Sequence, residues 1–419
     1  MNIVPSIEMI PAKYSPGILL CQEPMDGSGD LSVTRATTVA TRFNAAGFIE
    51  TVTSGLPRLD YYTSGGTAGC PALLVEPSAT NNLQRSQEFD NFYWVKPNGN
   101  ATPTTETAAP DGNLTAETYV VNNGAAANSP IVRTITLLAN TAYTLSVFVK
   151  RRDYDTATVR IYTDETSFAT CSFNLSTGTA SGGSILNFGN GWYRVSVTLT
   201  TAATVTNSQV QLIRDAQIRN GVAGIYIWGA QLETGTVPTS YIPTTTGSVT
   251  RDADVISKTG VSGLIGQTEG TIYAEVDISS FVTGKRLVEL SNGSAANRMV
   301  ISVQGSLIQF LVQDASSTQA TIDSATLSAG RFKVAAAYAS NDFVFYVNGV
   351  KAGEDFIGTV PTLNQINIGS TWNSILQFND RILSAAIYKT RLPNYLLESA
   401  TSQIQSYSAL ASSLSYSIV

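Results

Sequence analysis

Tyr193-Arg194-Val195-Ser196-Val197-Thr198-Leu199-Thr200 alternates between apolar and polar residues without a break. Side chains along an extended strand point to opposite faces in turn. Tyr193, Val195, Val197 and Leu199 therefore share one face, and Arg194, Ser196, Thr198 and Thr200 the other, the pattern of an antiparallel strand covered on one side. Working outward, Tyr143, Leu145, Val147 and Val149 alternate with Thr144, Ser146, Phe148 and Lys150. Val159 and Ile161, then Val210 and Leu212, repeat the period, separated by turns of Asn, Gly, Ser and Thr. Eight to ten short strands are expected between residues 74 and 245, a sandwich of jelly-roll type.

A second set of strands follows. Ile272, Ala274, Val276 and Ile278 alternate with Thr271, Tyr273, Glu275 and Asp277. Phe343 to Val347 runs into Asn348-Gly349, a hairpin signal because a type I′ turn needs positive φ at both central residues. The fold class expected is all-β, two antiparallel β-sandwiches in tandem behind an extended N-terminal arm. The expected divisions are an arm over 1–72, a jelly roll over 73–246, a second sandwich over 247–395 and a tail over 396–419. The arm shows no periodicity, so deleting residues 1–30 should leave both sandwiches folded. Past Pro393 a short helix is expected, and the Ser/Ala/Leu-rich tail from Ser399 offers a place for chains to meet.

Composition narrows the function. Of 419 residues, 13% are charged, against roughly 25% in an average soluble domain, so Ser, Thr, Asn and Gln dress the surface. Formal charge is −6, and Lys150-Arg151-Arg152 is the only basic run, which argues against a nucleic-acid partner. Histidine is absent, which removes Ser-His-Asp and Cys-His catalysis and every imidazole-bound zinc site. Cys21, Cys70 and Cys171 are odd in number and far apart, and read as three small buried thiols. No apolar run approaches the ~18 residues that span a bilayer, so no membrane insertion is expected. No signal peptide is read at Met1 to Ile10, which places synthesis in a cytoplasm.

Candidate chemistry is sparse. Concanavalin-like β-glucanases carry E-x-D-x-E on one strand, but here Glu275-Val276-Asp277-Ile278 is followed by Ser279, so no enzyme is expected. Asp111-Gly112-Asn113 could give oxygen ligands to a structural calcium, although a plain β-turn is the favoured reading and no cofactor is expected. Aromatic faces that could stack on sugar rings remain. Trp192 and Trp228 adjoin strong strands and read as core. Tyr162 lies on the polar face of its strand beside Arg160, while Trp94 and Trp372 stand in turn-rich surroundings. Trp94, Tyr162 and Trp372 are the glycan-binding candidates.

Leu73-Leu74-Val75-Glu76-Pro77-Ser78-Ala79-Thr80-Asn81-Asn82-Leu83, followed by Ser86, Glu88-Phe89 and Tyr93-Trp94, resembles a segment of bacteriophage fibre and other virion proteins. The flanking strings agree: Val33-Thr34-Arg35-Ala36-Thr37, Pro57-Arg58-Leu59-Asp60-Tyr61, Gly191-Trp192-Tyr193-Arg194-Val195, Trp228-Gly229-Ala230-Gln231-Leu232-Glu233, Pro238-Thr239-Ser240-Tyr241 and Thr250-Arg251. The match departs at Asn81-Asn82, where the family shows one Asn followed by Leu. The first sandwich is similar to a carbohydrate-binding module, and residues 269–395 resemble a laminin-G or concanavalin-type lectin domain. The resemblance implies a virion protein, anchored by its arm to other virion proteins, a homotrimer that presents its sandwiches to host-surface glycans. A purely architectural virion protein and a polysaccharide depolymerase are the other readings.

Overall fold

A computed structural model describes residues 4–63, 66–126, 128–164 and 167–402. Antiparallel strands make up almost all of its regular structure, as the alternating patterns predict, and among the described residues Asn394–Thr401 is the one α-helix. No described helix is long and apolar enough to cross a membrane.

The run that begins at Tyr193 lies in strand Trp192–Thr200, which pairs with Ala142–Arg151 so that Leu145 opposes Val197 and Val147 opposes Val195. Both belong to a six-stranded sheet ordered Gly99–Pro103, Glu117–Val121, Gly224–Thr234, Ala142–Arg151, Trp192–Thr200, Ser184–Asn187. A five-stranded sheet, Ile131–Thr134, Gln209–Arg214, Thr156–Tyr162, Phe168–Asn174, Thr179–Ser181, completes the jelly roll. Leu145, Val147, Val195 and Val197 from the first sheet and Val159, Ile161, Val210 and Leu212 from the second form its buried core. One covered face and one open face describe the five-stranded sheet. On the six-stranded sheet Arg194 and Ser196 are buried as well, because Phe43, Ile49 and Tyr241 cover that side together with Phe148, Trp192 and Trp228.

The expected N-terminal arm is instead part of the second sandwich. Ile7–Met9 pairs with the far end of Asp380–Tyr388, with Ile7 opposite Ile387. Leu31–Thr34 pairs with Val255–Thr259, placing Val33 against Ile256. Gly66–Val75 pairs with the near end of Asp380–Tyr388 and with Arg58–Thr63, so it crosses the expected boundary at 72/73. Ile7, Met9, Leu19, Leu31, Val33, Leu73 and Val75 are buried in one core with Ile272, Val276, Phe310, Phe343 and Ile387. The strands up to Ile49–Val52 are only two to four residues long, too short for a period to register, and Ile7–Met9 and Leu31–Thr34 find partners far along the chain. The jelly roll is therefore an insertion between two parts of one sandwich. A short ladder closes its neck: Ala79–Asn81 pairs with Val249–Arg251.

Four other expectations concern the second sandwich, the tail and the thiols. Asn348 and Gly349 have φ of 50° and 80°, and Val347 pairs with Val350, as the hairpin signal requires. The helix past Pro393 packs Leu397 on Ala335, Ala337 and Val344. Residues 403–419 of the expected chain-meeting tail lie outside the described residues. Cys171 is buried, but Cys21 is half-buried and Cys70 is exposed near the end of a hairpin, so the reading of three buried thiols is corrected.

At the neck lies a buried knot of charge. Arg58 donates to Glu76 Oε2 at 2.5 Å and also to Asp254. Arg35 reaches Asp254 at 2.8 Å, and Arg251 reaches Glu76 at 2.8 Å. Ser240 donates to Glu76 twice at 2.7 Å, from its backbone nitrogen and its hydroxyl. Burial alone would raise the Glu76 carboxyl, but Arg251 and Arg58 hold it well below the usual carboxylate range. The strings Val33 to Thr37, Pro57 to Tyr61, Leu73 to Pro77, Pro238 to Tyr241 and Thr250-Arg251 thus meet at one place. Their shared residues bind the insertion to its host sandwich.

Candidate functional site

The three aromatic candidates do not converge. Trp94 is 1% exposed. Its ring lies 5.3 Å from Phe89 and 5.2 Å from Tyr93, and its Nε1 donates to Arg85 O at 2.9 Å. Turn-rich surroundings did not mean an exposed ring, because residues 83–96 fold back on themselves, with Lys96 Nζ donating to the carbonyls of Phe89, Asn91 and Trp94. Trp94 is core and cannot stack on a sugar in this fold. Trp372 is half-buried on a turn of the other sandwich, where its backbone nitrogen donates to Glu289 Oε1 at 2.8 Å. Tyr162 is half-buried on the jelly roll, beside Arg160, as its place on the polar face predicted.

A carboxyl from the strand Glu117–Val121 meets the loop that buries Trp94. Glu117 Oε1 accepts from Phe89 N at 2.7 Å, while Oε2 is buried without a partner. Burial first, and Asp90 second, push this carboxyl up to about 8. The folded chain holds the proton from about pH 4.3, where an unfolded glutamate releases it, up to about pH 8. More protons bound in the folded state mean that stability falls as pH rises through that window. Glu117→Gln should flatten the pH dependence of the thermal midpoint there. An unchanged slope would show that the carboxyl is already ionised in the fold.

The open face of the five-stranded sheet is the best candidate site. Thr158, Arg160 and Tyr162 point outward from one strand, while Val159 and Ile161 point into the core. The register sets Phe168 opposite Tyr162, Thr170 opposite Arg160 and Ser172 opposite Thr158. On the other side Gln209 stands opposite Tyr162 and Gln211 opposite Arg160. The Arg160 guanidinium lies 3.8 Å above the Phe168 ring centroid and 5.0 Å from that of Tyr162, and Phe168 is 47% exposed. Desolvation by the sheet lowers the Arg160 pKa, and Arg214 adds to the effect. Two buried polar atoms here have no partner: Arg160 Nε and Gln211 Oε1.

Beside this platform is a shallow depression of about 370 Å³ lined by Thr156, Thr158, Ser172, Thr179, Ser181 and Asp215. Its rim is made by an irregularity: Thr158 pairs with Arg214 but Arg160 with Gln211, so Gln209–Arg214 carries one extra residue. Ile213 and Asp215 take φ of 50° and 55° there, a region a β-branched residue seldom adopts. The bulge aims Asp215 at Thr158, whose hydroxyl donates to it at 3.2 Å, and Arg214 pairs with the same carboxylate at 2.8 Å. Phe168 and the hydroxyl row were missed in the sequence. The alternation of Phe168, Thr170 and Ser172 with Ala169, Cys171 and Phe173 was the available signal.

Other candidate chemistry is internally satisfied. A cleft of about 380 Å³ separates the two sandwiches, with Phe43, Tyr62 and Phe188 on one wall and Asp60, Asp380 and Arg381 at one end. Arg381 donates to Asp60 at 2.8 Å, Tyr62 donates to Asn187 O at 3.1 Å, and Asp380, which burial pushes up to about 6, accepts from Ser279 N. Glu275, the first acid of the incomplete glucanase pattern, accepts from Arg331 at 2.8 Å. Asp111 takes bonds from Asn113 N at 3.0 Å and Thr115 Oγ1 at 3.2 Å, which closes the turn on itself. Among the described residues no group of three or more acidic or cysteine side chains is placed to hold a metal ion.

No protein-family model matches the chain, and no curated protein sequence matches it. Solved structures give partial overlaps. The CBM40 of the Ruminococcus gnavus IT-sialidase is 16% identical over 33% of this chain and 85% of that one, with a TM-score of 0.29. Domain 4 of AbnA, a GH43 extracellular arabinanase from Geobacillus stearothermophilus solved with arabinotriose, is 14% identical over 40% and 82%, with a TM-score of 0.30. A heptameric SAP-like pentraxin from Limulus polyphemus is 10% identical over 31% and 68%, with a TM-score of 0.25. At these scores the overlaps add nothing to what the strand topology already states: the chain is an all-β protein of antiparallel sheets packed as sandwiches.

Proposed function

We propose that this chain is a structural protein of a bacteriophage virion, of fibre or decoration type, that touches glycans through the open face of the five-stranded sheet. The virion half rests on the resemblance carried by Leu73 to Trp94 and its flanking strings. The glycan half rests on one observation, the Arg160–Tyr162–Phe168 platform beside a hydroxyl-lined depression. A sugar ring has a flat C–H face that lies well on an aromatic ring, and hydroxyls that exchange bonds with amides, hydroxyls and carboxylates. Both kinds of partner stand side by side here.

A shallow open face of this kind should bind a single sugar in the millimolar range, about −4 kcal/mol. A homotrimer carried in many copies would turn weak sites into firm attachment through effective concentration. Because Ile7–Met9, Leu31–Thr34 and Gly66–Val75 are paired within the sandwich, attachment to other virion proteins falls to a folded surface rather than a free arm. A glycan array on the intact protein tests the reading, with Tyr162→Ala as the control. That change should weaken binding about ten-fold, the loss of roughly 1.4 kcal/mol, and leave the melting temperature unchanged. A blank array would favour the second reading, an architectural virion protein. Phe356 and Ile357, adjacent and 62% and 79% exposed, are the observation on its side.

A further inference from the structure

Among the described residues Arg160 differs from the other arginines that the fold covers in having no hydrogen bond or ion pair on its guanidinium; Arg194, which also lacks a carboxylate, donates to Ser146 Oγ and Thr239 O. Arg35, Arg58, Arg251 and Arg381 each have a carboxylate within 2.8 Å, and Arg214, its neighbour on the open face, is paired with Asp215. Among the described residues Arg160 has no carboxylate partner, although the sheet desolvates it and leaves its Nε without an acceptor. Phe168 and Tyr162 hold the guanidinium by its flat face, which leaves the N–H edge for a planar acceptor. The hydroxyl row of Thr158 and Ser172 begins one side-chain repeat away along the strand, about 6.7 Å. That spacing is close to the width of one pyranose ring with its exocyclic group.

We propose that this face selects saccharides bearing a carboxylate, with Arg160 receiving the carboxylate and the hydroxyl-lined depression receiving the ring. The proposal rests on the glycan reading of the same face and adds the class of sugar. A carboxylate offers two oxygens in the geometry of the guanidinium fork, whereas a neutral hydroxymethyl offers one acceptor and no charge. Asp215, which accepts from the Thr158 hydroxyl at 3.2 Å, has its charge met by Arg214 at 2.8 Å.

The test is titration of the intact protein, followed by NMR, with methyl β-D-glucuronide and methyl α-D-galacturonide, each beside its uncharged primary amide. At least one acid should bind about ten-fold more tightly than its amide, and added salt should narrow the gap. In Arg160→Gln acid and amide should bind alike. Arg160→Lys, which keeps charge but loses the fork, should leave an intermediate preference, and unchanged melting temperatures would certify both variants as folded. Equal binding of acid and amide by the unaltered protein would overturn the selectivity while leaving the glycan reading intact. No binding of any of the four would overturn both. A preference that survives Arg160→Gln would overturn the assignment to Arg160.

Discussion

Glu76→Leu should cost the protein about 3–5 kcal/mol of stability, the range for removing one partner of a buried ion pair. The Glu76 carboxylate accepts from Arg58, from Arg251 and twice from Ser240. Its loss leaves Arg35, Arg58 and Arg251 with Asp254 as the remaining carboxylate of the knot. The cost should come from stranded positive charge rather than from lost packing. Adding Arg251→Met to Glu76→Leu should therefore restore part of the stability, because an apolar pair replaces an ion pair more cheaply than half a pair does. Urea denaturation of the single and double variants measures both. A single variant within about 1 kcal/mol of the parent would mean that water enters the knot and screens it. The sign with pH is also defined. A carboxyl whose folded pKa is depressed stabilises the fold above the unfolded value of about 4.3, and that contribution is lost as pH falls. Glu76→Leu should thus narrow its gap to the parent under acid.

How much of this was legible in the sequence depended on how far away each residue's partners lie. The strands Ala142–Arg151 and Trp192–Thr200 were readable because one face of each is the jelly-roll core, and alternation records that locally. Their other face was misjudged, since what covers Arg194 and Ser196 comes from Phe43, Ile49 and Tyr241. The recurring strings were readable as strings, but not as a knot: Arg58 meets Ser240 across 182 positions and Asp254 across 196. Nothing local marks a polar residue as buried when its partners are so distant. The candidate site divides the same way. Tyr162 beside Arg160 follows from period two alone. Phe168 and the hydroxyl row needed the pairing register of Thr156–Tyr162 with Phe168–Asn174, which composition does not record. Trp94 failed because turns were equated with surface, whereas its loop closes over its own aromatic rings.

Removing residues 1–30 should unfold the host sandwich while the inserted jelly roll stays folded, the reverse of what a detachable arm would allow. The deletion takes away Ile7, Met9 and Leu19, each fully or almost fully buried. Burial of an aliphatic side chain of this size contributes about 1.5–3 kcal/mol, so the three together contribute roughly 5–9 kcal/mol. That is comparable to the whole stability of an ordinary domain, about 5–15 kcal/mol. The deletion also bares the edge of Asp380–Tyr388 at Ala385 to Ile387 and the edge of Leu31–Thr34, two unpaired ladders that invite aggregation. The jelly roll keeps its own core of Leu145, Val147, Val195 and Leu212, none of which belongs to the lost cluster. Hydrogen exchange on the truncated chain should show slow amides in Ala142–Arg151 and Trp192–Thr200 and fast ones in Glu269–Ile278 and Asp380–Tyr388. Full protection in those last two strands would mean that the N-terminal strands merely decorate a sandwich able to stand without them. The arm reading would then return, and with it a free segment for attachment to the particle.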